Sequence, residues 1–243
     1  MRENLSRKEQ DPISRGGLFA IAWPETTVQR EGKWYDVPMK WVGLIKNDHY
    51  PAGHSALFLI NYETGKVDYF DFGRYIAPYH HGRVRDRITD PELEVTTKAK
   101  IGANNTIVNI HEILLELSIN KGTHGYGRMI VGEYADINYD KAYNKVKSMQ
   151  NEGSIIYGPL KIGGTNCSRF VAQVADEIAE DFPIKLLLTF PYTVSPTPLF
   201  NVRVLSNRGY YYEVNDGECY KVQHDFLRSF RRPSKPHEVI FQD

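Results

Sequence analysis

His54-Ser55-Ala56-Leu57-Phe58-Leu59-Ile60-Asn61-Tyr62, then Glu63-Thr64-Gly65-Lys66, then Val67-Asp68-Tyr69-Phe70-Asp71-Phe72, reads as a β-hairpin and sets the fold class. Two runs rich in apolar and aromatic residues flank a short turn, and Gly65 supplies the positive φ that such a connection needs. Upstream, Gly17 to Trp23 predicts a strand stopped by Pro24, and Trp41 to Ile45 a second strand ahead of the turn-rich Asn47 to Pro51. Residues 25–39, holding Trp34 and Tyr35, read as an irregular excursion. Downstream, Gly73 to Asp90 is basic and rich in turn formers, and Glu92 to Lys100 alternates like a strand. Ile110, Ile113, Leu114 and Leu117 recur at helical spacing within Asn109 to Asn120. A strand is expected at Met129 to Tyr134, a helix at Tyr139 to Gln150, a short strand at Ile155 to Leu160 and a helix at Cys167 to Ile178. Beyond a bend at Pro191, Pro196 and Pro198, strands are expected near Val202 to Leu205 and at Tyr210 to Val214. Hairpins interleaved with a few helices, without a βαβ succession or an internal repeat, argue for an α+β fold.

Bulk composition narrows the function. The chain has 243 residues, enough for one generous domain, and 30 basic residues balance 30 acidic ones. A neutral chain gives no electrostatic reason to expect nucleic acid or an anionic membrane as partner. The first fifteen residues are polar and lack the apolar core of a signal peptide, and no apolar run is long enough to span a bilayer. The sequence therefore predicts a cytoplasmic protein. Two cysteines, Cys167 and Cys219, do not make a disulfide framework. The 16 tyrosines fit the faces of a sheet.

One of those cysteines stands where chemistry is expected. Gly163-Gly164-Thr165-Asn166 is a breaker and capping run, and the apolar stripe Phe170, Val171, Val174, Ala175 and Ile178 begins just after it. Cys167 thus falls in the first turn of a helix, where free N–H groups and the helix dipole favour a thiolate and offer an oxyanion donor. A cysteine nucleophile also needs a base. His54 opens the hairpin strand, and pairing Tyr62 with Val67 puts Tyr69 and Asp71 on its face of the sheet. Asp71 then orients the ring, while a one-residue slip brings Asp68 there instead. Each residue also has a plain structural reading, the cysteine as a small core residue and the histidine as a surface one. The pair is more telling than either alone.

Gly53-His54-Ser55 leading into a strand, a polar residue on the next strand, and Asn166-Cys167-x-x-Phe170 opening a later helix together resemble the circularly permuted papain-like hydrolases of the NlpC/P60 superfamily, which include YiiX-like and lecithin:retinol acyltransferase-like proteins. The histidine precedes the cysteine, as in the permuted order. The resemblance covers roughly residues 40 to 180. It implies a papain-like antiparallel sheet packed against the cysteine-bearing helix, and amide, ester or thioester chemistry through an acyl-enzyme. The implied enzyme is a bacterial cysteine peptidase or amidase. The catalytic residues are then Cys167, His54 and Asp71, with Asn166, Thr165, Gly164 and Tyr69 as substrate contacts. The substrate is a peptide, a peptidoglycan fragment or a lipid acyl group, and no cofactor is required. An acyltransferase or a binding module that has lost turnover would use the same scaffold. Residues 1–15 are expected to form a flexible tail, 16–230 a single catalytic domain with an insertion at 73–153, and 231–243 a loose end.

Other constellations carry less. His80-His81-Gly82, His111-Glu112 and His124 lack the second histidine of a His-Glu-x-x-His site, so no metal is expected. The glycine-rich run from Gly158 to Gly164 lacks the Gly-Lys-Ser/Thr ending of a phosphate loop. Arg74, Arg83, Arg85 and Arg87 read either as a solvated loop or as an anion-binding stretch, and Cys219 as structural.

Overall fold

The computed structural model describes residues 14–26, 28–29, 49–50, 53–158, 163–189 and 195–223. The expected strand at Trp41 to Ile45, the excursion at Trp34 and Tyr35, the tail through residue 13 and the stretch beyond 223 lie outside these residues.

The fold is mixed α+β. Its strands are β1 (Arg15–Trp23), β2 (Val28–Gln29), β3 (His49–Tyr50), β4 (His54–Asn61), β5 (Val67–Gly73), β6 (His81–Arg85), β7 (Met129–Asn138), β8 (Ile155–Ile156), β9 (Tyr210–Asn215) and β10 (Glu218–Gln223). Its helices are α1 (Ile110–Ile119), α2 (Tyr139–Asn151), α3 (Cys167–Ile178), α4 (Phe182–Thr189) and α5 (Pro198–Val204). Among the described residues, eight strands form one antiparallel sheet in the order β10-β9-β7-β1-β4-β5-β6-β8, and β2 pairs with β3. Although 73–153 reads as an insertion, β7 within it runs between β1 and β9 and is an interior strand of the sheet.

Both faces of the sheet are covered. On one, Leu18, Ala20, Leu57, Leu59, Phe70 and Phe72 meet α2, α3 and α5 through residues such as Ala142, Phe170, Val174 and Val202. On the other, Phe19, Ile21, Ala56, Phe58 and Tyr69 meet Ile110, Ile113, Leu114 and Leu117 of α1. This explains the continuous apolar run of β4. A strand covered on both faces has no solvent side to alternate toward.

The hairpin closes two residues earlier than the sequence suggested. Ile60, not Tyr62, pairs with Val67. The Asn61 side chain accepts from the N–H groups of Glu63 and Thr64, making the turn itself, and Gly65 adopts φ +66° within it. A two-residue shift preserves which side chains share a face.

Two expected strands are absent. Residues 92 and 93 belong to a 3₁₀ turn at Pro91–Leu93, and 94–100 join no ladder among the described residues. Side chains satisfy their backbone instead: Glu116 accepts from the N–H groups of Thr96 and Thr97, and Asn109 from that of Lys100. Val202 to Leu205 belongs to the end of α5, whose N-cap Thr197 accepts from the Phe200 N–H with Pro198 in the first turn.

Candidate active site

The N-terminus of α3 is built by a cap. Asn166 is extended, and its side chain accepts from the Arg169 N–H at 2.8 Å. The same side chain donates to Ser195 Oγ at 3.3 Å, and Asn201 of α5 donates to the Ser168 carbonyl at 2.8 Å. The first turn is therefore tied to the segments that follow it. Phe170, Val171, Val174, Ala175 and Ile178 are buried in the core beside the sheet, which fixes the face α3 presents and sets Cys167 beside the start of β4.

His54, the first residue of β4, lies directly across from Trp23 on β1. The two rings stack at 5.6 Å between centroids and 17° between planes. Ala56 pairs with Asp71, so His54 and Asp71 share a face, and His54 Nε2 lies 3.7 Å from Asp71 Oδ2. That is an ion-pair distance, too long for a full hydrogen bond. Asp68 lies on the opposite face, where it accepts from Tyr139 Oη at 2.7 Å and pairs with Lys66. Of the two aspartates open to the sequence, Asp71 is the one beside His54.

Asp71 is buried, and its carboxylate is saturated with donors. Arg85 Nε donates to Oδ1 at 2.9 Å and Arg85 Nη2 to Oδ2 at 2.6 Å; the hydroxyls of Tyr69 and Tyr75 also donate to Oδ2, at 3.2 and 3.1 Å. Arg85 is itself only 2% exposed, its Nη2 also donates to the Gly122 carbonyl, and its guanidinium stacks on Tyr75 at 3.4 Å from the ring centroid. The reading of Arg74 to Arg87 as a solvated loop is thus corrected at Arg85. A charged side chain enters the interior because a carboxylate on the neighbouring strand neutralises it.

These groups set one another's ionisation. Burial alone would push the His54 ring toward neutrality, but its contacts with Asp71 and Cys167 and their negative charges raise its pKa to about 9. Burial alone would likewise raise the Cys167 thiol. The hydrogen bond and charge of His54, the Ser55 backbone N–H and the Ser168 hydroxyl instead bring it below its ordinary value. Asp71, also opposed by burial, is held below the usual carboxylate range by His54 and Arg85. The result is a row of groups of alternating charge preference, the buried Arg85 and Asp71 followed by the partly buried His54 and Cys167, in which each neighbour favours the ionised form of the next. Cys219 contrasts with this: it is a β10 residue buried in the core, and burial pushes its thiol up to about 11.

The residues expected to touch substrate divide. Asn166 caps α3. Thr165 is buried and donates to Gln173, and Gly164 lines, with Lys145, Glu152 and Arg169, a cavity between α2 and α3. Tyr69 is buried and donates to the Asp71 carboxylate. Among the described residues, the histidines at 80, 81, 111 and 124 form no cluster of three or more metal-type ligands.

A family model described as type VI secretion system effector TseH-like matches residues 18–181, well over half of the chain. The chain belongs to this family. The match begins inside β1 and ends just after α3, so it spans the central strands as well as His54, Asp71, Arg85 and Cys167. The crystal structure of the type VI secretion system effector TseH is similar in fold to this TseH-like chain. The TM-score is 0.57 at 18% identity, over 86% of this chain and 99% of that one. No curated protein matches the sequence.

Sequence reasoning gave Trp23 and Tyr75 no place beside His54, and read Arg85 only as part of a solvated or anion-binding stretch. For Arg85 a signal was present. In His81-Gly82-Arg83-Val84-Arg85 the arginines alternate with Val84 at strand period, which argues against a loop.

Proposed function

We propose that this chain is a papain-like cysteine hydrolase that cleaves an amide bond in a peptide of the bacterial cell wall through an acyl-enzyme. The observation that carries this reading is the His54 ring held between the Cys167 thiol at the N-terminus of α3, shifted toward thiolate, and the buried Asp71 carboxylate on β5. In the proposed cycle the Cys167 thiolate attacks the carbonyl carbon and the C–S bond forms. The backbone N–H at the head of α3 supports the oxyanion. His54 gives its proton to the leaving amine as the C–N bond breaks. The neutral ring then takes a proton from the water that attacks the thioester, and release of the carboxylic acid restores thiolate and imidazolium. Asp71 holds the ring in place throughout. Membership of an effector family supports a substrate met outside the producing cell, and the sequence resemblance supports amide chemistry.

The test is digestion of purified, peptide-crosslinked cell wall, following new amino groups and the masses of released fragments. The wild-type protein should release them, Cys167→Ala should not, and His54→Ala should lower kcat by about 10²–10⁴-fold. Iodoacetamide should modify Cys167 faster than Cys219 at mildly acidic pH. Equal slow labelling of both thiols, or undiminished release by Cys167→Ala, overturns the reading.

A further inference from the structure

Asp71 Oδ2 is oversubscribed. Arg85 Nη2 and the hydroxyls of Tyr69 and Tyr75 already donate to it, while His54 Nε2 stands 3.7 Å away, a buried atom with no hydrogen-bond partner among the described residues. A carboxylate oxygen has room for about two good donors. The histidine, which gains most from the contact, is the one kept at a distance.

The competing donors are not equivalent. Arg85 neutralises the carboxylate, and Tyr69 is fixed within β5. Tyr75 lies in the turn after β5, half-buried, next to Ile76 at 96% exposure. Its ring folds back over the strand end, where a Cβ on Gly73 would stand 2.5 Å from it. The ring covers the Arg85 guanidinium and also stacks on His124 at 5.3 Å. The ring therefore has its own supports, and its hydroxyl is separable from them.

Resting on the catalytic reading above, we propose that Tyr75 is a positioning residue that restrains the His54–Asp71 contact by occupying Oδ2, so that losing its hydroxyl strengthens the pair. Every donor on a carboxylate weakens it as an acceptor for the next. Removing one makes Asp71 more basic toward His54 and opens the lone pair that the ring nitrogen needs. The titratable and charged groups around His54 are Asp71 and Tyr69 from β5, Arg85 from β6, Tyr75 from the following turn, His124 from the loop before β7 and Cys167 from α3. Tyr75→Phe removes one hydroxyl from this set and keeps the ring over Arg85.

The experiment is the pH dependence of Cys167 alkylation by iodoacetate in wild type and Tyr75→Phe, with Cys219 labelling as internal reference. The anionic reagent is drawn by the imidazolium, so the rate rises as the thiolate forms and falls as His54 loses its proton. The falling limb should move up by about half to one pH unit in Tyr75→Phe, the size expected for one strengthened charge-assisted hydrogen bond. Tyr75→Leu, which also removes the ring, separates loss of packing from loss of the hydroxyl, and thermal melts establish that each variant is folded. An unmoved or lowered limb in folded Tyr75→Phe overturns the proposal, because a purely supporting hydroxyl would weaken the pair on removal. A wild-type Cys167 that reacts no faster than Cys219 overturns the catalytic reading, and this inference with it.

Discussion

Replacing Arg85 with methionine removes the cation from behind Asp71 and keeps most of the aliphatic stem. The carboxylate is fully buried, and the arginine supplies two of its four hydrogen bonds, at 2.9 and 2.6 Å. Breaking a buried ion pair from one side typically costs about 3–5 kcal/mol, because the remaining charge stays desolvated. His54, 3.7 Å away and cationic at neutral pH, offsets part of this, which puts the expected loss near about 3 kcal/mol. In a chain of this size that is roughly 6–12 °C in Tm. Thermal and urea unfolding at pH 7 measure it. Asp71→Asn in the same background should recover much of the loss, since no unpaired charge then remains. The acid side adds a sign. The Asp71 carboxyl is depressed below 3.8, so its stabilisation is present above that pH and is lost as pH falls through the folded value. Without Arg85 the folded value rises, and acid unfolding begins at higher pH. An Arg85→Met protein within about 1 kcal/mol of wild type, with an unshifted acid transition, would show that Arg85 does not hold the charge of Asp71.

Two further outcomes follow from the same geometry. The His54 pKa is raised from 6.5 to about 9, so the imidazolium survives neutral pH and is lost as pH passes about 9; kcat/KM should fall on that limb, and Asp71→Asn should move the limb downward, whereas a limb unaffected by Asp71→Asn contradicts the coupling. At Gly125 an added Cβ would stand 2.2 Å from Trp23 Cε2, and that indole is clamped between the loop and the His54 ring. Gly125→Ala should therefore cost about 1–3 kcal/mol and lower activity by displacing His54, with melting curves and kcat/KM as the readouts; a silent substitution at both counts against Trp23 as a positioning surface.

The helix carrying Cys167 was legible because its signals are local. An asparagine cap and an apolar stripe at 3.6-residue spacing need only neighbours in sequence, and the observed α3 has the expected bounds, Cys167–Ile178. The β4–β5 hairpin was legible for the same reason, and its face assignment survived a two-residue error in register because strand faces repeat every two residues. Two segments failed where local character and partner availability diverged. Residues 92–100 alternate like a strand, yet no strand among the described residues receives them, and Glu116 and Asn109 take the N–H groups of Thr96, Thr97 and Lys100. Val202 to Leu205 is rich in β-branched residues, but Thr197 and Pro198 start a helix ahead of it. The sequence by itself thus determined the α+β class, the cysteine at a helix start and the histidine at a strand start. Only the tertiary structure decided that Asp71 and not Asp68 lies beside His54, and that Arg85 is buried behind it. A buried charge is stable only when its counter-charge is brought alongside, and for Arg85 that partner is fourteen residues away in sequence and adjacent only through the β5–β6 pairing.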